Sequence, residues 1–231
     1  MLTPEQFREN LSRVRERIDS AAREAGRDPA QVTLLGVSKR KTATELQIAI
    51  DNGLQDIGEN RAQEAREKFP QVTFESVTRH FIGHLQSNKV KYLPGLFDAI
   101  QSVDAEHLAA KIAARFLDNP MPVMLQVNIS GEESKAGVEP EHLTALTGPC
   151  LEMDGIRVEG FMTIGPLTTD RDEIRAAFQR MYNLVQDQAR QFPDRLQQPK
   201  LSMGMSNDFE IAIQEGASHI RVGTALFGAR S

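Results

Sequence analysis

The chain has 231 residues, of which 40% are hydrophobic and 26% charged, which suits one large globular domain or two small ones. Its net charge of −5 at pH 7 excludes a broad nucleic-acid-binding face, which needs an excess of Lys and Arg. Cys150 is the one cysteine, which excludes a disulfide framework or a multi-cysteine zinc site, and no apolar run approaches the ~20 residues of a membrane helix. The polar start, Met1 to Gln6, carries no apolar leader core, so a cytoplasmic protein without membrane attachment is expected.

A helix is predicted first. Thr3, Pro4 and Gln6 take the N-cap, first and third helical positions, a capping box in which side chains satisfy the free N–H groups of the first turn. Phe7, Leu11, Val14, Ile18, Ala21, Ala22 and Ala25 recur at helical spacing, and Gly26 with Asp28-Pro29 ends the run. Strand and helix patterns then alternate. The predicted strands are 32–38, 56–60, 79–83, 99–103, 122–129, 158–164, 200–203 and 219–222. The predicted helices between them are 44–52, 62–69, 87–93, 105–117, 140–153, 172–192 and 208–215, with none after the last strand. Alternating units imply a parallel sheet, and eight strands imply a closed (β/α)8 TIM barrel, a single domain over residues 1–231. The extra N-terminal helix is expected to fill the vacant place in the outer ring. An open doubly wound sheet is the competing layout.

Barrels of this kind carry their chemistry on the loops after the strands. The first strand, Val32-Thr-Leu-Leu-Gly-Val-Ser, runs straight into Lys39. An amine at the mouth of a core strand is desolvated on one side, which favours the neutral form that attacks a carbonyl to give a Schiff base. The same residue also reads as the start of a solvated basic turn, Lys39-Arg40-Lys41. The second strand ends at Glu59 and Asn60, the third at Gly83 and His84, and the sixth at Met162 and Thr163. After the seventh, Gly204-Met-Ser-Asn207 leads into a helix with Ser206 as its expected N-cap, and after the eighth come Gly223 and Thr224. Barrels commonly bind a phosphate between these last two loops, although the charge of Asp208 opposes an anion there. Arg221 on the last strand needs a partner if buried. Facing inward it would donate to an aromatic ring nitrogen and keep it unprotonated; facing outward it would meet a helix carboxylate. A reactive lysine opposite a phosphate cradle suggests a phosphorylated aldehyde, and pyridoxal phosphate is one.

The five histidines lack metal-ligand spacing, so no metal is expected, and His84 alone falls near the site. Ser87-Asn88-Lys89 reads as a helix cap, Met203 and Met205 as packing, and Glu132-Glu133 and Asp170–Asp172 as solvated turns.

Several motifs together resemble the pyridoxal phosphate homeostasis protein family, also called proline synthase co-transcribed or YggS-like proteins. They are Gly36-Val-Ser-Lys39, Ile57-Gly-Glu-Asn60, His80-Phe-Ile-Gly-His-Leu-Gln-Ser-Asn-Lys89, Gln126-Val-Asn-Ile129, Leu201-Ser-Met-Gly-Met-Ser206 and Val222-Gly-Thr-Ala-Leu-Phe-Gly228. The resemblance runs over essentially the whole chain. It implies the barrel of the alanine racemase N-terminal domain, with Lys39 holding pyridoxal 5′-phosphate as a Schiff base. It implies Arg221 at the ring nitrogen, Ser206, Gly223 and Thr224 at the phosphate, and Asn60 and Met162 lining the ring. The implied role is non-catalytic, a cytoplasmic monomer that balances pyridoxal phosphate and, through it, amino and keto acids, with apo-enzymes as partners. An amino-acid racemase is the alternative, and a Schiff-base aldolase a third. Racemases of this fold draw a second base from an added β-domain, which a chain ending at Ser231 is not expected to have. Lys41 is a candidate secondary amine.

Overall fold

The computed structural model of the chain describes residues 2–132 and 135–228. Its strands are β1 (Thr33–Val37), β2 (Asp56–Glu59), β3 (Thr78–Phe81), β4 (Ala99–Val103), β5 (Met121–Val127), β6 (Ile156–Thr163), β7 (Lys200–Met205) and β8 (His219–Val222). Its helices are α1 (Pro4–Glu24), α2 (Ala43–Asp51), α3 (Ala62–Lys68), α4 (Glu106–Ala113), α5 (Leu143–Leu151), α6 (Arg171–Gln191), α7 (Phe209–Gln214) and α8 (Thr224–Phe227). The strands pair in sequence order, all parallel, and β8 pairs with β1 through Thr33–His219, Leu35–Arg221 and Gly36–Val222. The sheet is therefore the closed barrel expected, and the open doubly wound layout is excluded.

Closure brings the two ends of the chain together. The capping box at Thr3 is present as read, with Gln6 N–H donating to the Thr3 hydroxyl and Thr3 N–H to the Gln6 side chain. The apolar stripe of α1, Phe7 to Ala22, is buried, and the helix packs against α7, α8 and α2. It fills the outer ring where the barrel closes. Phe7 lies 5.7 Å from Phe227 of α8, ring to ring.

Several details differ from expectation. The last strand is followed by a one-turn helix, α8, too short to leave a periodic signal. The segment after β3 is a 3-10 helix, Ser87–Tyr92, whose N-cap is Gln86 with no side-chain cap, so Ser87-Asn88-Lys89 does not cap. The helix predicted to reach residue 117 stops at Ala113, where the chain tightens into turns joining Arg115 to Ile112 and Phe116 to Ala113. A 3-10 turn, Pro140–His142, precedes α5. A second capping box, between Thr42 and Glu45, opens α2. Among the described residues no helix is long and apolar enough to cross a membrane.

Two measurements test this packing. Phe7→Ala removes a side chain with no exposed surface and is expected to cost about 3–5 kcal/mol in urea unfolding. His219 is buried in β8, and burial pushes its pKa down from 6.5 to about 3. Below the ordinary histidine pKa the unfolded chain takes up a proton that the folded one refuses, so stability falls as pH drops. Relative to His219→Gln, the wild type should lose about 1.4 kcal/mol between pH 7.5 and pH 5.5. A constant difference between the two proteins would contradict the burial.

Candidate functional site at the barrel mouth

β1 ends at Val37, and Ser38 holds the last buried position before the turn. The Ser38 N–H donates to the Gly58 carbonyl at 3.1 Å, which extends the β1–β2 ladder by one bond. Its hydroxyl donates to Glu59 Oε1 at 2.6 Å. Its carbonyl accepts from Lys68 Nζ at 2.8 Å and from the Lys41 N–H at 3.0 Å. Lys68 also pairs with Glu59 Oε1 at 2.6 Å and with Glu64 at 3.2 Å, and Glu64 accepts the Arg40 N–H. Glu59 and Lys68 are both buried; burial pushes the Glu59 carboxyl up, against the pull of the Lys68 ammonium. Arg40 sits at φ 61, a left-handed conformation that a non-glycine residue keeps only where its surroundings enforce it. The turn that carries Lys39 is thus fastened on both sides by one buried ionic cluster. Lys39 itself is exposed, and Ser38 takes the last buried position before it.

The other candidates gather on neighbouring strands. Asn60 follows β2, and its Oδ1 is buried without a hydrogen-bond partner. Gly83 packs directly on it, since a Cβ there would lie 2.0 Å from the Asn60 carbonyl oxygen. Met162 is buried on β6, in register with Ser202 of β7. Ser206 does not cap α7, whose N-cap is Asp208; its hydroxyl instead accepts the Gly223 N–H at 3.2 Å and ties the two last loops together. Gly223 borders Val37, with 3.5 Å from its Cβ position to the Val37 side chain, two residues before Lys39. Going round the barrel, Met162, Ser206, the Arg221–Gly223–Thr224 group, Lys39 and Asn60 therefore stand on, or within two residues after, five consecutive strands, β6, β7, β8, β1 and β2.

Arg221 is buried and faces inward. Its Nη1 donates to Ser202 Oγ and its Nη2 to the Thr163 carbonyl, both at 2.7 Å. The outward reading, with a helix carboxylate as partner, is excluded. Burial lowers its pKa to about 10, which leaves it charged at neutral pH. Asp208 is also buried, and burial raises its pKa; its Oδ1 accepts the Met205 N–H at 2.5 Å, so the charge that opposed an anion is turned back onto its own strand end.

Other residues fall elsewhere. Lys41 donates to the Phe227 carbonyl at 3.0 Å and pairs with Glu45 at 3.6 Å, a latch between the β1 turn and α8 and not an amine facing the mouth. His84 is exposed and 3.8 Å from Asp104. Met203 packs in the core, whereas Met205 is exposed. Glu132 pairs with Lys135, Asp170 caps α6, and Glu133 lies outside the described residues. Among the described residues no three His, Cys, Asp or Glu side chains are grouped as a metal site requires. The anchoring role of Lys68 and the hydroxyl of Ser202 escaped the sequence, since neither residue sits on the loop or strand end that it serves.

The family model for the N-terminal domain of alanine racemase matches residues 5–231. Curated relatives named pyridoxal phosphate homeostasis protein are 43% identical in Aquifex aeolicus over 96% of this chain and 97% of the relative, and 43% identical in Pseudomonas aeruginosa over 96% and 95%. The structure of PipY from Synechococcus elongatus with pyridoxal phosphate bound superposes with a TM-score of 0.84 at 34% identity, over 96% of this chain and all of that one. An alanine racemase from Clostridium difficile shares the fold alone, at 16% identity and a TM-score of 0.70, over 98% of this chain and 56% of the racemase. With so much of its length shared at this level of identity, the chain belongs to the pyridoxal phosphate homeostasis protein family, a branch of the alanine racemase N-terminal barrel.

Proposed function

We propose that this protein binds pyridoxal 5′-phosphate at the barrel mouth and serves its homeostasis, holding the cofactor and not turning over a substrate. The residues present fit the group. An aldehyde calls for an amine, and Lys39 stands at the mouth on a fastened turn. A pyridine nitrogen calls for a donor, and Arg221 is a charged guanidinium inside the same mouth. A phosphate calls for several donors. Ser206 already accepts the Gly223 N–H, so its own proton is left to donate, and Thr224 adds a hydroxyl beside it. The buried, unpaired Asn60 Oδ1 offers an acceptor to the ring's substituents, with Met162 as an apolar wall. The observation that carries the reading is this convergence of amine, cation and hydroxyl cradle on adjoining strands.

When bound, pyridoxal phosphate supplies an electrophilic aldehyde on an electron-withdrawing ring. Arg221 does not surrender its proton, so a ring nitrogen set against it would stay unprotonated and the ring would withdraw electrons weakly. That suits retention better than catalysis. The relatives bearing the homeostasis name are matched over 95–97% of their length, whereas the racemase is matched over 56% of its own. We further infer one domain over residues 1–231, a monomer in the cytoplasm, and apo-enzymes that use the cofactor as its recipients.

The purified protein is expected to be yellow, with an absorption band of bound cofactor that borohydride fixes to the chain. Lys39→Ala should lose both the band and the fixation while still unfolding cooperatively in urea. An unchanged band in that variant would sink the assignment. Incubation of the loaded wild type with L-alanine should give no D-alanine; steady interconversion would favour the racemase reading.

A further inference from the structure

From Arg221 a file of polar side chains runs through the barrel lumen, away from the proposed cofactor site. Arg221 Nη1 donates to Ser202 Oγ at 2.7 Å. Ser202 Oγ lies 2.7 Å from Gln101 Oε1, Gln101 Nε2 lies 3.1 Å from His80 Nδ1, and His80 Nε2 lies 3.0 Å from Asp56 Oδ1. β4, which carries Gln101, and β7, which carries Ser202, are not neighbours in the sheet, so that bond crosses the lumen. Ser202, Gln101 and His80 are all buried.

The file has one direction. A guanidinium only donates, so the Ser202 oxygen accepts and its proton goes to the Gln101 carbonyl oxygen. The Gln101 amide then donates to His80 Nδ1, which leaves the neutral ring's proton on Nε2, facing the Asp56 carboxylate. Reversing Gln101 would set a bare Nε2 lone pair against that carboxylate, or else require a doubly protonated ring. Every donor therefore points from the cation at the mouth to the anion at the strand starts. Asp56 is half-buried there and lines a cavity of about 450 Å³ with Arg15, Asp19 and Thr33. Apolar side chains would fill the same lumen with no polar group to satisfy. A fully satisfied relay ending on Arg221 instead fixes the plane of its guanidinium, with Nη2 held by the Thr163 carbonyl as the second point.

We propose that Ser202, Gln101 and His80 are positioning residues that aim Arg221 at the cofactor, anchored at the far end of the barrel by Asp56. This rests on the cofactor-binding reading above. Gln101→Met keeps the volume and cuts the relay. In protein loaded with pyridoxal phosphate it should move the absorption maximum of the bound cofactor and weaken retention by about tenfold or more, while borohydride still fixes the cofactor to the chain. Ser202→Ala cuts the same link with a smaller change of shape and should reproduce the shift, which covers the case in which Gln101→Met does not fold. A residue that merely supports the fold would lower the unfolding midpoint and leave the spectrum in place. Wild-type maximum and affinity, within about twofold, in either folded variant would overturn the inference. A wild type with no cofactor band would instead overturn the cofactor reading, so the two failures are distinct.

Discussion

Closure of the sheet between β1 and β8 is the constraint from which the rest follows. A parallel sheet has unpaired edges until it is closed, and here the last strand of the chain pairs with the first. That pairing puts Gly223 against Val37, and so sets the final loops beside the turn of Lys39. It also explains why α1 docks where it does. The helix covers the seam, and through Phe7 and Phe227 it steadies α8, which begins at the proposed phosphate loop.

Charges are buried in two settings here, and each is handled differently. Outside the barrel, Lys68 joins Glu59, Glu64 and the Ser38 carbonyl, and so fastens the backbone on either side of Lys39. A cluster of this kind adds little net stability, because desolvation offsets most of the attraction, but it fixes geometry. Inside the barrel, Arg221 has no carboxylate in direct hydrogen-bond contact among the described residues. It is satisfied by a hydroxyl and a carbonyl, with the balancing charge carried away by the relay to Asp56 and, nearby, by Asp208. The consequence is a cation that stays charged and is held at two points inside the barrel.

Local signals were readable in the sequence; contacts across the lumen were not. Thr3-Pro-Glu-Gln6 announces its helix because both halves of the capping box lie within four residues. The same chemistry in Thr42-Ala-Thr-Glu45 starts α2 at Ala43, one residue earlier than the apolar pattern alone suggests. Eight apolar runs at βα spacing revealed the barrel, and strand ends marked Lys39, Asn60 and Gly223 as residues at its mouth. Ser206 reads as a helix cap and in fact ties two loops, since both roles call for the same hydroxyl. Gln101 and Ser202 stand 101 residues apart, and only closure makes them neighbours.

The central claim is that the lysine at the end of β1 is the one that takes the cofactor. Reduction of the loaded protein with borohydride, followed by mass mapping of its peptides, tests it directly. The account predicts the pyridoxyl phosphate adduct on Lys39, with Lys41 unmodified because its amine is engaged by Phe227 and Glu45. An adduct at Lys41, or one spread over several surface lysines, would contradict it.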